Sequence, residues 1–344
     1  MKYLVTGGSG FLGVNLVRHL LAAGDDVRSL DIAPFDHPEA ARISCLAGDI
    51  RDRDTVLRAM AGVDVVVHCA AALPLYPRDQ IRSIDVEGTR VLLDAALDLG
   101  IPRVVHISST AVYGVPRHHP IREDDPLIGV GPYGEAKIGA ERACIDYRKK
   151  GLCVPILRPK SFVGPERLGV FELLFDFASH GRNFPVLGSG ANRYQLLDVE
   201  DLCRAIVLCA SGPEAEVNDV FNVGAAEFGT IREDFQVVLD RAGHGGRVVS
   251  LPRLPAILAL RLLDALRLSP IYPWIYDTMA RDSYVAIDRI RDRLGFAPLH
   301  SNRDALLRNY AWYNARRDRV AASPGKTHRD PWRRGALRLA EAFF

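Results

Sequence analysis

An apolar run, Tyr3-Leu4-Val5, leads straight into Thr6-Gly7-Gly8-Ser9-Gly10-Phe11-Leu12-Gly13, and from Phe11 to Leu21 the apolar residues recur at helical spacing. No other stretch limits the fold as far. A strand that turns through glycines into a helix requires a buried strand with the helix laid back against it. Gly7 permits the tight turn, Gly10 lets backbone approach a pyrophosphate, and Gly13 lets the helix sit close to the sheet. The helix start at Phe11 and Leu12 offers N–H groups and a positive dipole end to phosphate. The next apolar-rich run, Val27 to Leu30, ends at Asp31. A carboxylate there can accept hydrogen bonds from both ribose hydroxyls of NAD, and it repels the 2′-phosphate of NADP.

The first half continues the alternation. Short Val/Ile-rich runs at 63–67, 103–107 and 154–157 are separated by helical patterns at 54–61, 79–99 and 132–149. That order predicts parallel strands joined by right-handed crossovers, and continuous apolar runs suit strands buried on both faces. After Pro159 glycine and proline become frequent. A helix is expected over 170–180. Asp198 is placed to cap a helix over 199–210, Val220–Val223 returns as a sheet strand, and Thr230 is placed to cap a helix to about 242. The rest, to about residue 317, reads as mostly helical. The expected architecture is therefore an α/β Rossmann-type, doubly wound parallel sheet with a smaller, mostly helical C-terminal substrate domain. The dinucleotide-binding domain takes 1–160 with return segments at about 196–225, the substrate domain takes 161–195 and 226–315, and 316–344 form a basic tail.

With 48% apolar and 25% charged residues, 344 residues can bury a sizeable core. A net charge of +2 with no basic stripe gives no sign of a nucleic-acid partner. The six cysteines form no Cys-x-x-Cys pair and no Cys/His metal spacing, so no metal is expected. Residues 251–268 are leucine-rich, but Arg253, Arg261, Asp264 and Arg267 break the run, which predicts an amphipathic helix rather than a membrane span. With strand one at the very start, no signal peptide is read, and the expectation is a reduced, cytoplasmic protein. The tail from Ala315 holds eight Lys/Arg against three Asp/Glu and ends in apolar residues around Trp332, Phe343 and Phe344. Two readings stay open for it: a frayed or subunit-packed terminus, or a peripheral contact with the inner face of a membrane.

Two further segments carry chemistry. Tyr133 and Lys137 in Tyr133-Gly134-Glu135-Ala136-Lys137 share one helix face. An ammonium close to a phenol stabilises phenolate and brings its ordinary pKa of about 10 towards neutrality, as a general acid/base needs. Val104–Ile107 runs into Ser108-Ser109-Thr110-Ala111-Val112-Tyr113-Gly114, which puts hydroxyls just past a parallel strand's C-terminal end, where ligands bind in such sheets.

Thr6–Gly13, Asp31, Gly48-Asp49-Ile50, His68-Cys69-Ala70-Ala71, Ser108–Gly114, Tyr133–Lys137 and Leu157-Arg158-Pro159 together resemble the extended short-chain dehydrogenase/reductase family, in consistent order over about residues 1–315. The resemblance implies Ser109 as the substrate-polarising hydroxyl, Tyr133 as acid/base, and Lys137 as the group that tunes it and holds the nicotinamide ribose. Asp49 and Ile50 would lie against adenine, Ala70 and Ala71 along the cofactor cleft, and Pro159 near the nicotinamide. It also implies NAD as cofactor, and a homodimer by analogy. The chain departs from the family in places. Asp85-Val86-Glu87-Gly88-Thr89 stands where the family often has Asn-Val-x-Gly-Thr. Ser161 stands where nucleotide-sugar members carry a phosphate-contacting Asn, and Tyr194 where they carry an Arg, with Arg193 one place off. Lys160 or Arg193 could compensate, and with Thr110 these complete the candidate substrate contacts. The late segments 251–276 and 288–298 are similar to the sterol- and lipid-directed, 3β-hydroxysteroid dehydrogenase-like branch.

Three functions follow. The first is hydride transfer between NAD(H) and a secondary alcohol or ketone on a bulky, lipid-like molecule. The second is a nucleotide-sugar 4-epimerase or dehydratase with retained NAD. A dehydratase calls for acidic chemistry beside the serine, and Thr110 supplies none. The third is a non-catalytic cofactor-binding subunit, against which the intact Ser/Tyr/Lys set argues.

Overall fold

The computed structural model describes residues 1–74, 76–265 and 281–320, apart from the side chains of 170, 259–260, 262–265 and 317–320. The chain runs β1 (Lys2–Thr6), α1 (Phe11–Ala22), β2 (Asp26–Asp31), β3 (Ser44–Ala47), α2 (Arg53–Met60), β4 (Val65–His68), α3 (Arg78–Arg82), α4 (Gly88–Asp98), β5 (Val104–Ile107), α5 (Gly131–Arg148) and β6 (Ile156–Pro159). It continues through β7 (Phe162–Val163), α6 (Val170–Ser179), β8 (Phe184–Leu187), β9 (Leu197–Asp198), α7 (Val199–Ser211), α8 (Glu214–Val217) and β10 (Val220–Val223). Then come α9 (Ile231–Ala242), β11 (Val248–Leu251), α10 (Arg253–Ala265), α11 (Asp288–Leu294) and α12 (Asn302–Val320).

Seven strands form one parallel sheet in the order β10-β6-β5-β4-β1-β2-β3. Every residue of β4, β5 and β6 is buried, as a sheet covered on both faces requires. Leu4, Val66, Val104 and Ile156 meet Leu92, Leu93, Met60 and Cys144 from the flanking helices in one core. This doubly wound α/β arrangement is the expected Rossmann-type fold. It gathers at one edge the residues that follow each strand: the glycine turn after β1, Asp31 at the end of β2, Ala70-Ala71 after β4, Ser108-Ser109 after β5 and Pro159 at the end of β6.

The chain divides into two units. The first contains Met1–Lys160, Val199–Gly224 and Val285–Ala297; the second contains Ser161–Asp198, Ala225–Tyr284 and the chain from Pro298 on. The sequence pattern assigns 285–297 to the smaller domain, but these residues lie in the first unit. Val285 bridges to Ile121, Ile290 is fully buried, and Arg293 is ion-paired with Glu216 and Asp219. Such contacts join distant segments and leave no local periodicity to read.

In the second unit, Phe175, Leu174, Phe235, Leu306, Tyr310 and Tyr313 share a core. Its expected mostly helical character is broken by β8 and β11, a parallel pair of four-residue strands, and by β7 paired with β9. Thr230 caps α9 in a full capping box with Glu233. The Asp198 carboxyl, expected as a cap for α7, is fully buried and ion-paired with Arg308 at 3.1 Å. The expected amphipathic helix is α10, on which Leu254 and Leu258 are exposed. No described helix is long and apolar enough to cross a membrane. The tail from 321, and residues 266–276 of the lipid-like segment, lie outside the described residues.

Candidate active site

The glycine turn is held by close backbone approach. Gly7 has φ +67° and donates its N–H to the Leu30 carbonyl at 2.8 Å; a Cβ on it would lie 2.8 Å from Ala70 Cα. A Cβ on Gly13 would lie 2.2 Å from the Gly7 carbonyl oxygen and 2.5 Å from Gly8 Cα. What Gly13 makes room for is therefore the turn's own backbone, more than the sheet. Gly8, outside the motif reading, is constrained by a side chain instead: its Cβ would meet Ser29 Oγ at 2.1 Å and Ser29 Cβ at 2.9 Å. Gly10 caps α1 without a side chain, and the first turn, Phe11 onward, holds no acidic residue. The positive end of the helix thus has no side-chain anion of its own, which suits a pyrophosphate.

Asp31 is tied to this turn. Its Oδ2 accepts from Ser9 N and its Oδ1 from Ala33 N, each at 2.9 Å. Each oxygen keeps a second lone pair for a ribose hydroxyl. Ala70 and Ala71 follow β4, and Ala70 N donates to Thr6 Oγ1 at 3.3 Å. The Asp49 carboxylate pairs with Arg51, which holds it below the usual carboxylate range. The Ile50 side chain is buried in the sheet core and crowds Gly88. The groups present thus fit a dinucleotide: a glycine cradle, a helix start with no acidic residue in its first turn and a carboxylate at the next strand end.

Tyr133 lies on the first turn of α5, and Lys137 one turn later is 3% exposed. Its Nζ sits 5.7 Å from the Tyr133 ring centroid and donates to the Ile107 carbonyl at 3.3 Å. Burial depresses the Lys137 ammonium, but Asp85, Tyr133, Cys69 and Glu141 together raise it above its ordinary value, so it is charged at neutral pH. A Cβ on Gly134 would meet the Ala111 carbonyl at 2.8 Å. That close approach seats the start of α5 against the loop that carries Ser109.

Ser109 is extended and caps a single 3-10 turn, Thr110–Tyr113, accepting from Ala111 N at 3.1 Å. Thr110 Oγ1 donates to the Pro159 carbonyl at 3.3 Å. Below this loop lies a buried polar network with no sign in the sequence. Arg158 donates from Nε and Nη2 to Glu141 at 2.9 and 2.6 Å, and from Nη1 to Tyr113 Oη at 2.8 Å. Ser108 Oγ donates to the same Glu141, and Tyr113 Oη donates to Asn222 at 2.7 Å. A second buried group centres on His68, between Thr6 Oγ1 at 2.8 Å and Thr89 Oγ1 at 3.0 Å; burial, helped by the Lys137 charge, pushes its pKa down to about 3.

Of the candidate substrate contacts, Ser109, Thr110 and Lys160 belong to the first unit. Lys160 follows β6 and is buried, and burial lowers its ammonium to about 7. Ser161 and Arg193 belong to the second unit. Ser161 Oγ lies 3.4 Å from Tyr194 Oη, and the Arg193 guanidinium lies over the rings of Phe228 and Tyr284 at 4.6 and 5.0 Å.

The family model described as NAD dependent epimerase/dehydratase matches residues 3–224. The uncharacterized protein y4nG of Sinorhizobium fredii is 38% identical over 340 residues, covering 98% of this chain and 84% of its own. A dTDP-glucose 4,6-dehydratase of Streptomyces niveus is 30% identical over 96% of this chain and all of its own. A 3-beta-hydroxysteroid dehydrogenase of Mycolicibacterium neoaurum is 26% identical, covering 93% of each chain. Among solved structures, the dTDP-glucose 4,6-dehydratase DesIV of Streptomyces venezuelae, with NAD bound, superposes with a TM-score of 0.73 at 29% identity, covering 92% of this chain and 98% of its own. The family match runs from the first strand of the sheet to the last, β1 to β10, and takes in the glycine turn, Asp31 and the Tyr133–Lys137 helix on the way. This protein belongs to the NAD dependent epimerase/dehydratase family.

Proposed function

We propose that the protein interconverts a secondary alcohol and a ketone on a nucleotide-linked sugar, by epimerisation or net oxidation rather than by dehydration. The observation that carries this reading is Lys137, buried and charged one helical turn from Tyr133, in a site where no carboxylate follows Ser109. NAD, when bound, supplies the hydride acceptor and donor. Ser109 and Tyr133 hydrogen-bond the substrate oxygen. Tyr133 takes its proton on oxidation and returns it on reduction, and Lys137 stabilises the phenolate between the two. Donors fixed where charge develops on that oxygen supply most of the rate gain.

Dehydration asks for a further acid/base beside the serine. The next two residues are Thr110, whose hydroxyl is turned to the Pro159 carbonyl, and Ala111. The nucleotide-sugar class is supported by the likeness to the Streptomyces niveus and DesIV dehydratases, which cover nearly the whole chain. A lipid-like substrate is the second reading. It is favoured by the likeness to the 3-beta-hydroxysteroid dehydrogenase and by Leu254 and Leu258, exposed on α10.

The test is a turnover panel with NAD: UDP-glucose, UDP-galactose and dTDP-glucose against a 3β-hydroxysteroid, scored by NADH formation and by product chromatography. An epimer without net NADH, or a sugar oxidised with matching NADH, is expected. Sterol oxidation with every nucleotide sugar inert would overturn the sugar assignment in favour of the second reading.

A further inference from the structure

Asp85 stands on a single π turn, Ser83–Glu87, set between α3 and α4. Single π turns within α-helical runs redirect side chains and are frequent at functional sites. The Asp85 side chain is 2% exposed. Its Oδ1 accepts from Ala72 N at 2.8 Å, just past Ala70-Ala71, and its Oδ2 has no hydrogen-bond partner among the described residues. A buried carboxyl oxygen left in that state costs stability unless a charge nearby compensates it.

α5, the helix that carries Tyr133 and Lys137, packs on the same turn. A Cβ on Gly139, two residues past Lys137, would lie 3.0 Å from Val86 Cγ2, and Arg78 of α3 is ion-paired with Glu135 of α5. Lys137 has the complementary problem. Its ammonium is buried, its one hydrogen bond among the described residues is to the Ile107 carbonyl, and no carboxylate pairs with it directly.

The groups that act on this ammonium are Asp85, Tyr133, Cys69 and Glu141, with the rings of His68 and His106 also within its field. Glu141 is committed to Arg158 and Ser108. Burial pushes the Cys69 thiol up to about 12, which leaves it neutral. Both histidines are held neutral by burial. Tyr133 is the group being tuned. Asp85 is the one acid in this set whose charge is not already spent on another partner.

We propose that Asp85 is the buried counter-charge of Lys137, a positioning residue that keeps the ammonium protonated next to Tyr133. This rests on the acid–base reading of Tyr133 and Lys137, and it gives a role to the acidic residue found where the resembled family often has Asn. An amide at this place could accept from Ala72 N but would bring no negative charge to a neighbouring cation. The carboxyl is strained upward by burial and drawn down by Lys137, as a pair that stabilises each other's charge requires.

The test needs no substrate. The chain has six lysines, so isotope-labelled lysine side chains give a countable NMR spectrum, and Lys137→Arg and Lys160→Arg assign the two buried ones. The pH midpoint of each is then read in the protein and in Asp85→Asn. The Lys137 midpoint is expected to fall by about one unit or more, a tenfold loss in proton affinity, while that of Lys160 stays in place. An unmoved Lys137 midpoint overturns the proposal, and so does an equal shift at both lysines, which would mark a general loosening. If Asp85→Asn does not fold, Asp85→Ser gives the same readout. Failure of the acid–base reading shows separately, as turnover retained in Tyr133→Phe whatever the lysine midpoints do.

Discussion

Removing Glu141 should be among the costliest single truncations in the first unit. Its side chain and that of Arg158 are 1% and 4% exposed, and the two groups meet through paired hydrogen bonds at 2.6 and 2.9 Å. Glu141→Ala deletes both acceptors, strips Ser108 Oγ of its partner and leaves a guanidinium charge in the core. Breaking a buried pair from one side costs about 3–5 kcal/mol, against a total stability of about 5–15 kcal/mol for a native domain. With a urea slope near the upper end of about 1–3 kcal/mol/M, the midpoint should drop by roughly 1–2 M. Urea titration followed by circular dichroism reads this directly, provided the slope itself is unchanged. The companion variant, Glu141→Leu with Arg158→Met, removes both charges and should regain much of the loss, because the cost lies in the orphaned charge rather than in the missing bond. A single truncation that costs under about 1 kcal/mol, or a double variant less stable than the single, would refute this account of the network.

Asp31 should set cofactor choice: NADH is expected to bind more tightly than NADPH, and Asp31→Ala should narrow the gap by about tenfold or more as charge-assisted ribose bonds worth about 1.5–3 kcal/mol are lost; fluorescence titration with both cofactors checks this, and preference for NADPH in the native protein contradicts it. Tyr133→Phe should lower turnover by about 10²–10⁴-fold with the fold intact, and Ser109→Ala by less, roughly 10- to 150-fold, since one hydrogen bond goes rather than the proton source; the order of the two losses in steady-state assays is the check. Gly13→Ala drives a Cβ into backbone that cannot give way, so NADH affinity and melting temperature should fall together. His68 and His106 are held neutral by burial, His68 with its pKa down at about 3. Below pH about 6.5 the unfolded chain binds protons that the folded chain does not, so stability should fall with pH, by up to about 1.4 kcal/mol per unit for each ring. Urea midpoints from about pH 7.5 to about pH 5 test it, and His106→Leu should flatten the slope.

What was legible in the sequence was whatever repeats locally. The runs at 63–67 and 103–107 read as strands because a doubly covered parallel sheet concentrates Val and Ile in short buried stretches. Tyr133 and Lys137 read as a pair because one helical turn separates them. Thr230 read as a cap because it stands just before the helical run that ends near 242, and in the structure Glu233 completes the capping box. The rest depends on contacts that spacing does not encode. Gly8 answers to Ser29, twenty-one positions away, and nothing in the motif sets it apart. Arg158 and Glu141 lie on different elements, and their pairing is decided by sheet order. The strands β8 and β11 are too short and too exposed to stand out from the helices around them. The burial of Asp85 follows from a π turn that helical periodicity does not foresee.

The interleaved path of the chain has a consequence for how it is made. Neither unit is a continuous stretch: the first resumes at Val199 and again at Val285 after two excursions into the second. A ribosome that has released β6 still holds β10, whose Asn222 must pair with Arg158 in the sheet and accept the Tyr113 hydroxyl. Until then β6 presents an unpaired edge of backbone N–H and C=O groups, the kind that captures other strands. Val285–Ala297 is released later still. The nascent protein therefore carries an unfinished sheet through most of its synthesis, its yield depends on that edge staying shielded, and no contiguous fragment could be expressed as either unit alone.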